Sequence, residues 1–537
     1  MKPYDNPLPK YDMFYLNQCQ AVHSHLLTHR KKLEDWDVVL PQFKGLACQI
    51  VSYFEDYIVE IGIWKAFIDT NKELYGYPLP FYALSDYDET YINVEDIAFL
   101  IWHFLTKYTE EEYIINPDHD VIMALANAIF DLFEEEMEAA PAIDVYDKLF
   151  TVKDNENYFS FKSKMKWFST DSYLLGVELG PQLKLTQDEI IESVKESAIP
   201  IEYQGMFLYA EMEKYLYQKR SSYSALNGPE WFAKIAKCSD TRRQEILDLT
   251  YWIDGKFFLK ERQPKHFIFE HILTNIQYKA LIDSFQNNRN VRPSKTDAYV
   301  MHMIRWNEVY QLSGMMYSQP MTEKSIQEYK AERLTTPWIL PEKSLEIMQK
   351  STSEMYEAFI EFFKSPLMIF DSSAQLEKAN VAYLDFHRQK RILENDNLTK
   401  ESVQASIDAF KEKFGKNYDF KETLDEKGFN EGVGLFFIEN VGTYIMDGVK
   451  PVIRDLKALT LPMQKTVDLY ITFTNGYIPP LCTYLLAQYG SKNLKFPTDN
   501  NTIDVVKHLP FYWRMNSPEE FDRSYPMITL VDVKSLT

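Results

Sequence analysis

Histidines and carboxylates are the side chains in this 537-residue sequence whose types and spacing bear on chemistry. His23, His25 and His29 form the densest histidine group, and on a helix His25 and His29 lie one turn apart, the geometry two imidazoles need to share a metal. A third ligand of suitable spacing is missing, and so is the His-Glu-x-x-His order. The group therefore reads as a helix face beside Arg30, Lys31 and Lys32. Carboxylates are frequent over the same stretch, notably Glu55, Asp56, Glu60, Glu95, Asp96, Glu134, Glu135 and Glu138. A di-iron bundle requires Glu-x-x-His on two helices. That spacing does not occur.

Asp118-His119-Asp120 is the second candidate. An adjacent His-Asp pair at a helix start, in an acidic helical region, resembles the pair used by metal-dependent phosphohydrolases of the His-Asp type. The resemblance implies a metal completed by a distant His and a later Asp, and water activated against a phosphate ester. Here His103 and Asp131 are the residues to nominate, which makes His103, His119 and Asp120 the candidate metal ligands. The resemblance covers two residues only. Its competitor is simple: Asp118 or Asp120 caps the helix and meets its amino-terminal dipole.

Other catalytic signatures fail. The chain has no phosphate-binding Gly-x-x-x-x-Gly-Lys-Ser/Thr loop and no Gly-x-Gly-x-x-Gly after a strand. Gly432-Val433-Gly434 precedes an apolar run, as a tight turn would. No Gly-x-Ser-x-Gly elbow exists. The four cysteines, Cys19, Cys48, Cys238 and Cys482, form no Cys-x-x-Cys pair, so neither a disulfide framework nor a cysteine zinc site is indicated. No cofactor is called for.

The sequence around 251–320 carries a different signal. Residues 255–320 hold 9 Lys+Arg against 5 Asp+Glu, and the loop with Arg289, Arg292 and Lys295 has no acidic residue. Aromatics at Phe257, Phe258, Phe267, Phe269, Tyr278, Tyr299 and Trp306 lie beside it. Small barrels that bind single strands combine rings with cations in this way. A peptide groove on the same sheet is the parallel expectation, and both put partner contacts at Arg289, Arg292 and Lys295.

The elements that must position these residues follow from periodicity. Residues 12–140 read as helices: a stripe at Ile50, Phe54, Tyr57, Ile58, Ile61 and Trp64 predicts one helix ending near Tyr75-Gly76-Tyr77-Pro78. Asn93, with Asp96 three positions on, predicts the next start. A third helix follows Asn116-Pro117-Asp118 and carries Ile122, Leu125, Ala126, Ile129 and Phe133. Helices near 186–197, 205–219 and 229–237 lead to alternating strands at Lys256–Glu261, His266–His271, Gln277–Leu281, Ala298–Trp306 and Val309–Tyr317. The last third mixes helices over Leu345–Phe363 and Thr399–Phe414 with short strands at Leu367–Phe370 and Leu435–Ile438.

The expectation is an α+β multidomain protein: an acidic helical bundle at 1–150, a mainly helical connecting region at 151–250, a small five-stranded antiparallel barrel-like sheet (SH3-like or similar) at 251–320, and a mixed, mainly helical region at 321–537. The formal charge of −21 is uneven. Residues 1–150 hold 10 Lys+Arg against 27 Asp+Glu, while residues 151–341 hold 25 against 24. An acidic face of this kind docks a basic partner or keeps the chain dispersed in water. The start, Met1-Lys2-Pro3-Tyr4-Asp5, is polar and no run of about 18 apolar residues occurs, so neither a leader nor a membrane span is expected. These features together predict a cytoplasmic interaction or scaffold protein with a protein partner. The alternatives are a metal-dependent hydrolase sited on the bundle, and nucleic-acid binding through the barrel.

Overall fold

Helices and strands are both present in the computed structural model, which describes residues 8–109, 114–178, 184, 188–189, 192, 204–250, 252–288, 291–293, 296–334, 342–394, 399–402, 404–405, 431–439, 441–498 and 501–518. By their packing the residues divide into two units. The first takes in 1–326 together with 498–501 and 507–522; the second takes in 327–497 with 502–506 and 523–537. Among the described residues no helix is long and apolar enough to cross a membrane.

The first unit begins with α1 (Pro9–Thr28), α2 (Arg30–Asp35), α3 (Leu40–Val59), α4 (Ile63–Tyr75), α5 (Val94–Thr106) and α6 (Asp120–Glu136). Apolar spacings of three and four mark the buried stripes of α3, with Phe43, Leu46, Ala47, Ile50 and Phe54, and of α6, with Ile122, Leu125, Ala126, Ile129 and Phe133, whereas α5 is buried all round from Asp96 to His103. The stripes of α3 and α6 meet where Phe54 stacks on Phe133 at 4.3 Å. The stripe from Ile50 to Trp64 is not one helix. The chain breaks at Glu60 and Gly62, both in the left-handed region at φ 52° and 93°. Asn93 does precede α5, but its side chain caps no helix amide. It accepts from the Asp88 amide and donates to Asp96 instead.

A helix at Leu509–Asn516, within the first unit, buries Phe511 against Phe99 and Phe81 at centroid distances of 5.8 and 5.9 Å. Nothing in the short apolar runs of that segment marks it as part of the amino-terminal core.

Helices α7 (Val145–Phe150), α8 (Tyr158–Asp171), α9 (Gln204–Gln218), α10 (Gly228–Ile235) and α11 (Asp240–Asp248) lead into the sheet. Most of 186–197 lies outside the described residues. Strands β1 (Ile253–Arg262), β2 (His266–His271), β3 (Gln277–Leu281), β4 (Asp297–Trp306) and β5 (Val309–Pro320) pair in the order β1-β2-β3-β5-β4, and β4 pairs back onto β1, so the sheet closes on itself. The expected all-antiparallel pairing is corrected at one place: β3 and β5 run parallel, through Ala280 and Tyr310. The reason is parity, because strand direction cannot alternate all the way round a ring of odd number. Phe257, Leu259, Phe267, Phe269, Tyr299, Met301 and Met303 fill the interior, joined by Phe285 from the turn after β3.

This sheet rests on α8, α9 and α11. Trp306 stacks on Phe161 at 4.7 Å and donates its indole N–H to the Glu156 carbonyl at 3.2 Å, with the Arg242 guanidinium 4.5 Å above its ring. Beside it, Glu213 of α9 accepts from Lys162 at 2.6 Å and from Ser313 of β5 at 2.8 Å, its own side chain 2% exposed.

The second unit pairs β6 (Leu367–Phe370), β7 (Val433–Ile438) and β8 (Gly442–Met446) as an antiparallel sheet. It packs on α13 (Glu342–Phe363) and α14 (Ser373–Glu394) through Phe359, Tyr383, Leu435 and Phe437. A preceding helix, α12, spans Glu323–Leu334. Most of the helix expected at Thr399–Phe414 lies outside the described residues.

Removing one member of a buried ion pair leaves the other charge unsatisfied, at about 3–5 kcal/mol. Lys162 keeps some water contact, so Glu213→Ala is expected to lower stability by about 3 kcal/mol. Urea denaturation would check this, and a change below about 0.5 kcal/mol would show that the seam does not depend on the pair.

Candidate functional site

The turn between α3 and α4 builds the site. Gly62 precedes α4 and has no side chain with which to cap it, yet the first helical amides need acceptors. Asp56, in the last turn of α3, reaches forward to supply them. Its Oδ1 accepts from the Gly62 and Ile63 amides at 2.8 and 3.3 Å, and its Oδ2 from the Trp64 amide at 2.7 Å and the Tyr173 hydroxyl at 2.9 Å. The anion thus sits at the positive end of α4.

Asp96, in the first turn of α5, is met in a similar way. Tyr53 donates to its Oδ2 at 2.6 Å and Tyr87 to its Oδ1 at 2.7 Å. Glu55, next to Asp56 but on another face of α3, receives the hydroxyls of Tyr11 and Tyr146, each at 2.6 Å. Three buried carboxylates are therefore solvated by five tyrosines. Both oxygens of Asp56 accept two hydrogen bonds each, and both oxygens of Asp96 are met by tyrosine hydroxyls. They are structural anions.

Around Asp56 and Asp96 opens a cavity of about 670 Å³. Tyr53, Tyr57, Tyr87, Tyr91 and Trp64 supply its rings. Tyr57 and Tyr91 meet edge to face at 6.0 Å, Tyr53 and Trp64 at 5.0 Å. The Trp64 indole N–H is buried without a hydrogen-bond acceptor of good geometry, although it lies close enough to Asp96 to favour the charged carboxylate. The exposed lining residues are Glu60, Lys65, Glu89 and Thr90, with Asp69 half-buried. Lys65, the one lysine among the lining residues, is held by Asp69 at 3.0 Å, and Lys72 holds Glu89 at 2.8 Å. Glu60 has no ion-pair partner among the described residues, and it occupies a left-handed backbone position where glycine is the usual choice.

The residues singled out by sequence lie elsewhere. His103 is buried on α5, its ring 3.7 Å from that of Tyr223 and its Nε2 3.2 Å from Ser222 Oγ. Ser222 donates its single hydroxyl proton to Glu178, so the imidazole must donate from Nε2. Burial, then Lys107, holds His103 well below the usual imidazole range, and the ring is neutral. His119 caps α6, its Nδ1 accepting from the Val121 amide at 3.1 Å, with its ring against Trp36. The expected aspartate cap is thus supplied by the histidine between the two aspartates. Asp120 opens the helix. Among the described residues no group of three or more His, Cys, Asp or Glu side chains is placed to hold a metal ion. Arg289 and Lys295 lie outside the described residues; Arg292 is exposed, and its carbonyl accepts from Tyr299 at 3.3 Å.

Comparison with known proteins places the cavity within a matched stretch. Residues 2–255 match a family model described as a protein of unknown function, DUF3843. The chain is similar to that family over the helices that build the cavity, up to the first residues of β1. No curated protein and no solved structure matches.

Burial raises both cavity aspartates from 3.8 to about 6, against the hydrogen bonds that favour the charged form. A folded value above the unfolded one means that the native state holds the proton more tightly. The contribution is therefore present below about pH 4 and is lost as pH rises through about 6, at on the order of 3 kcal/mol per group. Urea denaturation of the wild type and Asp56→Asn, which cannot titrate, should show their difference moving in favour of the wild type as pH falls from about 7 to about 4.5. A difference independent of pH would refute titration of Asp56 in this window.

Proposed function

We propose that this chain is a cytoplasmic interaction protein whose first unit receives a cationic group of a protein partner, a lysine or arginine side chain, in the tyrosine-lined cavity. One observation carries the reading: rings and carboxylates line the same concave surface, and its one lysine is already held by Asp69. An ammonium or guanidinium entering such a place meets ring faces, each worth about 0.5–2 kcal/mol depending on desolvation. It also meets the carboxylate of Glu60. The surplus of Asp and Glu over residues 1–150 adds a longer-range attraction that draws cations toward this unit and weakens with salt.

The buried aspartates hold the walls, while Glu60, Tyr57 and Tyr91 meet the guest. This division separates affinity from folding. Glu60→Gly removes the unpaired carboxylate and relieves a left-handed backbone at the same time, so the melting temperature should stay level or rise. Titration calorimetry with a lysine- and arginine-rich peptide should show saturable binding that weakens with added salt. Glu60→Gly should weaken it by about threefold to tenfold. Equal affinity for an acidic peptide of the same length, or undiminished binding by Glu60→Gly and Tyr57→Ala, would overturn the proposal.

A further inference from the structure

Cys19 and Cys48 are 29 positions apart in the sequence, yet α1 and α3 bring them together. The two helices pack against one another, and Tyr11 near the start of α1 donates to Glu55 near the end of α3. One turn further along α1, Tyr15 meets Phe54 at 6.4 Å. The helices are therefore antiparallel along this seam. Eight residues on from Tyr11 is about 12 Å of rise, and seven residues back from Glu55 is about 10 Å. Those steps end at Cys19 and Cys48. The two thiols lie close enough to shift one another's ionisation. Cys48 is exposed at the surface and Cys19 is half-buried.

We propose that Cys19 and Cys48 form a redox site, in which a small-molecule disulfide of the glutathione type converts the two thiols into a reversible bond between α1 and α3. Cys48 is the attacking group. Cys48 is the more exposed sulfur and so the one that can carry charge, and the proximity of Cys19 holds its thiol below the ordinary range while Cys19 is pushed the other way. The Cys48 thiolate attacks one sulfur of the reagent, whose S–S bond breaks, and a thiolate leaves with the electron pair. Cys19 then attacks the Cys48 sulfur of the mixed disulfide and expels the second thiolate. The two cysteine protons end on the two departing thiols, so two protein thiols are oxidised and one reagent disulfide is reduced. Cys238 and Cys482 take no part. Cys482 is buried, its thiol facing the Phe473 and Tyr477 carbonyls at 3.8 and 3.7 Å.

Native full-length protein incubated with oxidised glutathione, then alkylated and digested, tests the proposal by mass spectrometry. The expected product is a Cys19–Cys48 linked peptide, lighter than its two halves by two hydrogens and reversed by dithiothreitol. Cys19→Ser should stop at a glutathione adduct on Cys48, and Cys48→Ser should lose the linkage. The oxidised wild type should also melt at a higher temperature than the reduced form, because the bond restricts the unfolded chain. A wild-type protein that accumulates the Cys48 adduct without resolving it, or that links other cysteines as often as it does under denaturing conditions, would overturn the site.

Discussion

Three carboxylates that have left bulk water set the terms of the amino-terminal unit. A buried anion costs several kcal/mol unless donors replace its hydration. Glu55, Asp56 and Asp96, each at most 3% exposed, find those donors on tyrosines and helix amides. A tyrosine suits the task because its ring fills apolar space while its hydroxyl delivers one directed bond. The donors come from α1, α3, α7, the segment before α5 and the turn after α8. Satisfying three side chains thereby fixes the mutual position of five parts of the chain. It also prepares the cavity, because Tyr53, Tyr87, Asp56 and Asp96 belong to both the network and the lining.

The same arrangement explains how an acidic unit folds at all. Like charges gathered in one core would repel, so the surplus of Asp and Glu is sorted: a few are buried and hydrogen-bonded, and the rest face water or small ion pairs such as Arg30–Glu34 and Lys65–Asp69. At the other end of the unit the solution differs. Glu213, under the closed sheet, is matched by Lys162, in a region where cations and anions are nearly balanced.

How far the sequence disclosed this depends on the range of each interaction. Alternation at Phe257 and Leu259, and again at Phe267 and Phe269, marks strands because side-chain direction is a local property. The helix break at Glu60–Gly62 was hidden inside an unbroken apolar stripe, since left-handed residues change direction without changing hydrophobicity. Glu55, Asp56, Glu60 and Asp96 stood out as carboxylates, but their meaning lay in tyrosines as far away as Tyr173. Cys19 and Cys48 appeared unrelated for the same reason. The histidines misled because imidazole also caps helices and packs against rings, as His119 and His103 do.

The helix at Leu509–Asn516 completes a core begun by α5, although residues 327–497 of the second unit intervene in the chain. During synthesis, Phe99 must wait for Phe511. At about 5–20 residues per second, some 400 residues take on the order of 20–80 seconds to emerge from the ribosome. Until then an apolar surface around Phe81 and Phe99 is without its final cover. The nascent amino-terminal unit is therefore a natural client for chaperones through most of its own translation, and a chain truncated before residue 509 would never leave that state.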